Sequence, residues 1–481
     1  MFGGYGLYNH GIAVDPQDEG VAYLLGYNIW KITKPTSGTG FYLCEQITSN
    51  TVISDPTGYI HVGMHTMVFN PKNSDECYVG TDGGVYKGTG RFTFVDCNRN
   101  YPTTRMFNVA PSGGNRILAT GLDHGIVLIE NDPNANTPGY GEWINPDGSI
   151  LGAFTDDSHG GPSAISTINP NTFFVTYKAG GLARTETAGE DWVSTNFTSS
   201  SSLTISSSSF RSPVLLFEDY NDDLNPAEVW VYNYTDQTIP AGTVVKDVIS
   251  NNNYPFDCTL SAPLAAGDSV LVHDPISARF FVAYKDALYM TLTPLDFAVE
   301  SYWYKVADKA HSGFAGEPLG MAISADGDHM FVGTKDGKFY RVSGLKTVVD
   351  DAHGTITDSL FAVTNTVISL PISGQCVTSV AVDPRDANKV VVTCGNYGND
   401  DYVFYSTNAL ADEPTFTSKQ GNLPKMPVYS SLIEMTTGDI IIGTERGIYR
   451  TKNIAGASWT TDSHLLGEVP VMELKQQILS H

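Results

Sequence analysis

The sequence predicts an all-β fold: a β-propeller of about eight four-stranded blades, with seven as the alternative count, carrying a small inserted β module. The first observation behind this is a recurring phrase. An apolar stretch ends in Asp-Pro or Asn-Pro, a polar turn follows, and then come β-formers, Gly-Thr, a turn with Gly, and an aliphatic-aromatic-basic triplet. One copy joins Met67-Val68-Phe69-Asn70-Pro71 to Cys77-Tyr78-Val79-Gly80-Thr81-Asp82-Gly83-Gly84-Val85-Tyr86-Lys87. Met330-Phe331-Val332-Gly333-Thr334-Lys335-Asp336-Gly337-Lys338-Phe339-Tyr340-Arg341 and Ile440-Ile441-Ile442-Gly443-Thr444-Glu445-Arg446-Gly447-Ile448-Tyr449-Arg450 are two others. The second observation is spacing. The landmarks Gly26, Gly80, Ala119, Thr176, Ala283, Gly333, Thr393 and Gly443 mostly fall about 40–60 residues apart, the size of one blade. The third is composition: Gly 47, Pro 25, Tyr 25 and Phe 22 suit turns and pleated surfaces, and only 17% of residues are charged.

The elements follow in order. Each copy supplies an inner strand, such as Ile12-Ala13-Val14, Met321-Ala322-Ile323 or Ser379-Val380-Ala381-Val382. A second strand follows the Pro turn and ends at the landmark. A third follows the Gly turn, as in Ile29-Trp30-Lys31 or Ile126-Val127-Leu128-Ile129. A weaker fourth closes the unit, for example Phe41-Tyr42-Leu43 or Tyr302-Trp303-Tyr304-Lys305. At 481 residues the chain exceeds the usual single-core limit of about 250–300. Repeated units avoid that limit because each packs only on its neighbours.

The interval from Thr176 to Ala283 is about double the others. It holds a Ser-rich tract, Ser199–Ser202 and Ser206–Ser209, and then Val229-Trp230-Val231-Tyr232-Asn233-Tyr234, which lacks the blade phrase. The expected domains are therefore propeller 1–204, an inserted β module 205–268, and propeller 269–481. Val469-Pro470-Val471-Met472-Glu473-Leu474 reads as the first strand of another unit. The last unit is thus expected to be incomplete: either this strand closes the ring against the N-terminus, or the chain is a piece of a larger chain or assembly.

Net charge is −24 with 28 basic residues, and no Lys/Arg cluster occurs, which argues against nucleic acid and anionic membrane surfaces. No apolar run approaches the ~18 residues of a spanning helix. The six cysteines form no CxxC pair. Cys376 and Cys394 flank the turn Asp383-Pro384-Arg385-Asp386 almost symmetrically, which admits a disulfide or two buried thiols. Asn196-Phe197-Thr198 and Asn233-Tyr234-Thr235 are formal N-glycosylation sequons.

Two segments resemble the Asp-box repeat Ser-x-Asp-x-Gly-x-x-Trp. They are Thr185-Glu186-Thr187-Ala188-Gly189-Glu190-Asp191-Trp192 and Lys452-Asn453-Ile454-Ala455-Gly456-Ala457-Ser458-Trp459, with Thr187 and Ile454 in place of the Asp. The chain is similar to sortilin and neuraminidase-type Asp-box propellers, and especially to secreted Bacteroidetes propellers that end in a type IX secretion sorting domain. That resemblance implies a protein outside the cell or on its surface.

Candidate site residues sit on the turns between second and third strands: Asp82, Asp123 with His124, Asp336, and Glu445 with Arg446. In a propeller these turns share one face, the default ligand site; the plainer reading is that tight hairpins require Asp-Gly. Asp219, Asn221 and Asp223 place oxygens at alternate positions, as calcium loops do. Calcium is the one cofactor this reading admits, although Leu224 occupies the sixth position and no Glu the twelfth. His61 and His65 have i,i+4 spacing, but Gly58 and Gly63 argue against the helix that zinc would need. A sialidase would need three arginines and a Tyr–Glu pair, and Phe210-Arg211-Ser212-Pro213 lies in the wrong place for its motif. The expected function is a non-catalytic extracellular binding, adhesion or scaffold module for a protein or glycan. The alternative is a glycoside hydrolase of sialidase-like or xyloglucan-processing type.

Overall fold

The structure is a computed structural model that describes residues 8–36, 38, 40–48, 58–90, 92–98, 106–112, 116–121, 125–130, 142–143, 160–177, 180–189, 191–193, 195–198, 202–204, 212–348, 363–463 and 467–476. The chain divides into two compact units, Met1–Arg105 and Met106–His481. Among the described residues it forms eight antiparallel meanders of blade type, seven with four strands and one with three, together with two strand pairs.

The first unit holds two sheets. Gly11–Val14, Val21–Leu25, Ile29–Thr33 and Leu43–Gln46 form one; Met64–Asn70, Asn73–Thr81, Gly84–Thr89 and Thr93–Asp96 form the other. Their facing sides share one buried cluster that includes Tyr23, Leu25, Ile29, Met64, Val79 and Phe94.

The second unit holds six. The third sheet is Met106–Pro111, Arg116–Gly121, Gly125–Glu130 and Glu142–Trp143, and the fourth is Gly160–Ile165, Phe173–Tyr177 and Gly181–Thr185. The fifth is Val214–Asp219, Ser277–Tyr284, Ala287–Thr291 and Tyr304–Asp308. The sixth is Pro318–Ile323, His329–Thr334, Phe339–Ser343 and Thr364–Ile368. The seventh is Val377–Asp383, Asp386–Cys394, Val403–Ser406 and Thr417–Ser418, and the eighth is Val428–Ile433, Ile440–Thr444, Gly447–Thr451 and Thr460–Thr461. A separate apolar layer fills each gap between consecutive sheets. Leu118 and Ile126 meet Phe173 and Trp192; Phe174 and Leu182 meet Phe280 and Trp303. Met290 meets Met330, Phe339 meets Val390, and Val403 meets Ile442. This is face-to-face packing of successive sheets, the construction of a propeller.

The recurring phrase has a physical explanation at each position. The Asp or Asn before Pro closes an Asx turn: its side-chain oxygen accepts the N–H two residues on, from Gln17 to Asp15 (2.8 Å), Lys72 to Asn70 (3.0 Å) and Arg385 to Asp383 (3.0 Å). The Thr of Gly-Thr staples the next turn. Thr334 Oγ1 accepts Lys338 N at 3.0 Å. Thr444 accepts Arg446 N at 3.1 Å and donates to Gly447 O at 2.9 Å. The Gly is there for closeness. A Cβ on Gly333 would lie 2.1 Å from Val377 Cγ1 on the next sheet's inner strand, and one on Gly443 would lie 2.5 Å from Val471 O.

Tryptophans anchor both Asp-box-like hairpins. Trp192 and Trp459 are buried. Thr187 Oγ1 accepts Asp191 N at 2.9 Å, and Trp459 Nε1 donates to Lys419 O at 2.9 Å. Buried Arg184 spans the fourth and fifth sheets. Its Nη1 donates to the Thr293 carbonyl at 3.2 Å, its guanidinium lies 4.6 Å from the Phe197 ring, and burial pushes its pKa down to about 10.

The inserted module is Glu228–Tyr232 paired with Ser269–His273, and Val244–Ile249 paired with Pro255–Thr259. The pairs enclose their own core of Val229, Val231, Val248, Leu260 and Leu264. The fifth blade's inner strand, Val214–Asp219, lies inside the 205–268 segment that the sequence reading assigns to the insert. The module interrupts the hairpin between that strand and Ser277–Tyr284, which separates the strand from the Pro turn, Asp274-Pro275, that opens its partner. Cys376 and Cys394 are both free thiols. Cys394 pairs across the hairpin with Val377, and Gly395 N donates to Cys376 O, so the two cysteines are offset by one residue. That offset sends their side chains to opposite faces of the pleat.

Candidate functional site

The turns expected to form a ligand face are mostly occupied by their own neighbours. In the first unit, Asp82 Oδ1 lies 2.6 Å from His65 Nε2 and accepts the Tyr8 hydroxyl at 3.3 Å. His61 is turned instead to the Val62 carbonyl at 3.0 Å, so the two histidines do not share a site. In the second unit, Asp336 accepts Thr334 Oγ1 at 2.6 Å and pairs with Lys338 Nζ at 2.9 Å. Burial alone would raise the Asp336 carboxyl, but these partners outweigh it and hold it below the ordinary carboxylate range. Glu445 accepts the Tyr429 hydroxyl, and Tyr397 is raised chiefly by its hydrogen bond to Glu445. Arg446 is paired with Glu468, with Nε at 3.1 Å from its carboxylate. Asp123 and His124 lie outside the described residues.

The calcium candidates do not converge. Asp219 Oδ1 accepts Asn221 N at 2.9 Å, as an Asx turn. Asp223 is exposed and sits 3.4 Å from Lys346 Nζ, so a lysine ammonium already supplies the cation there. Asp222, which the alternation passes over, is the buried member: it accepts Ser277 Oγ at 2.6 Å and Arg279 Nη2 at 2.9 Å. Among the described residues no group of three or more His, Cys, Asp or Glu is arranged to hold a metal.

The inner strands of the six sheets of the second unit converge on one cavity of about 310 Å³. Phe107, Pro162, Val214, Met321, Val380 and Tyr429 represent one strand each, with Met472 to Lys475 along one side. Neighbouring inner strands are stitched together: Asn108 Oδ1 accepts Ser163 N at 2.9 Å, and the Ser379 and Ser431 hydroxyls are 3.1 Å apart. The segment read as a further first strand docks here, Val471 N donating to Thr444 O at 2.9 Å. One carboxylate, Glu473, lines the cavity among the described residues, and Lys475 neutralises it at 3.1 Å. Hydrolysis of a glycosidic bond needs two carboxyl groups flanking it.

The inserted module meets the fifth blade at a second cavity, about 340 Å³, walled by Asn225, Asn251, Asp274, Arg279, Leu292 and Val348 among others. Asp274 accepts Asn251 N and Ile276 N, and Asn225 Nδ2 donates to Asp274 O, so this junction is cross-bonded. The module's outer face carries a row of three exposed aromatic rings, Trp230, Tyr232 and Tyr234. No candidate above includes them, although the alternation in Val229-Trp230-Val231-Tyr232-Asn233-Tyr234 carries the signal. Asn233, between the rings, is buried, and its Nδ2 donates to the carbonyls of Gln237, Leu264 and Ala265. That sequon is therefore closed to glycosylation in the folded chain.

No protein family and no curated protein matches the sequence. Among solved structures, the chain is similar to the β-propeller domain of Cps50 (Swd1) from Myceliophteria thermophila, at 11% identity and TM-score 0.41, over 82% of this chain and 98% of that one. It is similar to YCF48 from Cyanidioschyzon merolae at 11% identity and TM-score 0.38, over 80% and 94%. It is also similar to the Niastella koreensis GH74 enzyme at 16% identity and TM-score 0.26, over 94% and 68%. Likeness at this distance carries no argument about function. The propeller class rests on the stacked blades and the convergence of their inner strands. Among the described residues no helix is long and apolar enough to cross a membrane.

Proposed function

We propose that this protein is a non-catalytic β-propeller that serves as a binding, adhesion or scaffold module for a macromolecular partner outside the cell or at its surface. The observation that carries the reading is the charge inventory of the axial cavity: among the described residues it has one lining carboxylate, already held by a lysine. The turn residues support it as well. Asp336, Glu445 and Arg446 are engaged in local bonds that fix loop shape. The acidic chain, −24 overall, disfavours anionic partners. The reading calls on no cofactor. The partner contacts fall to the loops and to the inserted module, which has a core of its own and presents its aromatic side outward.

The test is hydrolysis. Purified protein is incubated with sialosides, xyloglucan and other neutral glycans, and released reducing ends are counted. No release above the heat-treated control is expected. Release that disappears in Glu473→Gln or Glu445→Gln overturns the reading in favour of a glycoside hydrolase.

A further inference from the structure

We infer that the outer face of the inserted module is a binding strip for a neutral polysaccharide chain, stacked on Trp230, Tyr232 and Tyr234. The inference rests on the binding reading above and names the partner's chemistry.

The argument begins with register. Trp230 stands opposite Leu271 and Tyr232 opposite Ser269, while Val229, Val231, Val270 and Val272 turn inward. Side chains two residues apart share a face of a strand. Tyr234 continues the row beyond the strand end. The three rings are 53%, 52% and 88% exposed, so the module's core does not use them. Large rings left facing water contribute little to the module's core, and exposed apolar patches commonly mark contact sites.

Ring geometry narrows the ligand. Trp230 and Tyr232 have centroids 6.4 Å apart at 36°, and Tyr232 and Tyr234 are 5.7 Å apart at 19°. The planes of Tyr232 and Tyr234 are close to parallel and that of Trp230 is tilted against them, with centroids spaced on the scale of one sugar ring. A chain of sugars repeats on that scale and lays its C–H faces on aromatic surfaces. A cation-holding cage needs ring faces enclosing one point, which planes at these angles do not supply. A protein interface of standard size needs about 800 Å² per partner around an apolar centre. Here the apolar surface is the three rings with Leu271 opposite Trp230, and Ser269, Glu228 and His273 are its polar neighbours across and along the ladder.

Polar groups for sugar hydroxyls lie beside the rings. An open concavity of about 510 Å³ is lined by Tyr232, Tyr234, Thr235, Asp236, Gly267 and Asp268. Its backbone is fixed before any ligand arrives, because Asn233 Oδ1 accepts both Thr235 N (3.0 Å) and Thr235 Oγ1 (2.7 Å). Preorganisation of this kind lowers the cost of binding. The carboxylates at the rim disfavour an acidic polysaccharide.

The experiment is affinity electrophoresis of the whole chain in gels containing hydroxyethylcellulose, glucomannan, xylan, a β-1,3-glucan or polygalacturonate. Retardation by at least one of the neutral polymers and none by polygalacturonate is expected. Trp230→Ala and Tyr232→Ala should each weaken binding about tenfold or more. Tyr234→Phe, which keeps the ring, should bind nearly as the parent does. Because all three side chains are at least half exposed, thermal unfolding midpoints should move only slightly, and the variants should remain folded at the temperature of the gel, which separates lost binding from lost folding. No retardation by any neutral polymer overturns the inference, as does equal retardation of the parent and alanine variants. So does binding of the same strip to a lysine-rich peptide in place of the polymers. Those outcomes leave the non-catalytic reading standing. Cleavage of a retarding polymer removes that reading instead.

Discussion

Gly333 decides how closely two blades approach. A methyl group added there would meet Val377 Cγ1 of the next inner strand at 2.1 Å. Gly333→Ala should therefore destabilise by about 1–3 kcal/mol, an overpacking cost, seen as a lower thermal midpoint. Combining it with Val377→Ala should recover part of that loss, because residues in contact do not add independently. Asp222 is the residue to watch for pH. Burial alone would raise its carboxyl, but the Ser277 hydroxyl, the Arg279 guanidinium and the Leu224 N–H hold it below the ordinary range. A carboxylate lowered in the folded state contributes stability above about pH 3.9, and that contribution fades as pH falls through the folded value. Asp222→Asn should flatten the acid limb of a stability–pH curve. Its neutral-pH cost is about 3–5 kcal/mol, since Arg279 is left buried and unpaired. An unchanged acid limb would show that the pair is not what acid breaks. Asp222 was not legible as the buried member of its loop. Asp219, Asn221 and Asp223 follow the calcium spacing, and only the fold shows that Asp222 turns inward to Arg279.

Among the elements, the blades were legible and the insert only partly so. The phrase recurs because each hairpin solves the same problems with the same residues: an Asx turn, a Thr staple, and a Gly where the next sheet comes close. Those are short-range requirements, so they leave a trace in one sequence. Val214–Asp219 left none, because its partner strand lies beyond the module. Side-chain pairing across turns was equally hidden. Nothing local says that Tyr429 donates to Glu445 or that Arg446 turns to Glu468. Trp192 and Trp459 lock the hairpins that follow two third strands. Replacing either with Ala should cost about 3–5 kcal/mol. Hydrogen exchange should then rise first in the affected blade, and a uniform rise over all blades would contradict the independence of these anchors.

At the scale of the molecule, a long β chain without one large core must bury each sheet against its neighbours. The second unit does so six sheets in succession, with their inner strands meeting at one cavity. Among the described residues that line this cavity, the one carboxylate, Glu473, is paired with Lys475. The proposed scaffold role draws on that arrangement. The most direct test is a set of pulsed-EPR distances on the whole chain, with spin labels placed in pairs on inner strands at Val214, Met321, Thr378 and Ser431. Convergence on a common cavity predicts distances that level off across the ring, so that the Val214–Ser431 pair stays well short of three times the spacing of adjacent inner strands. Distances that grow in proportion to the number of intervening blades would mean sheets stacked in a line, and the account would fail.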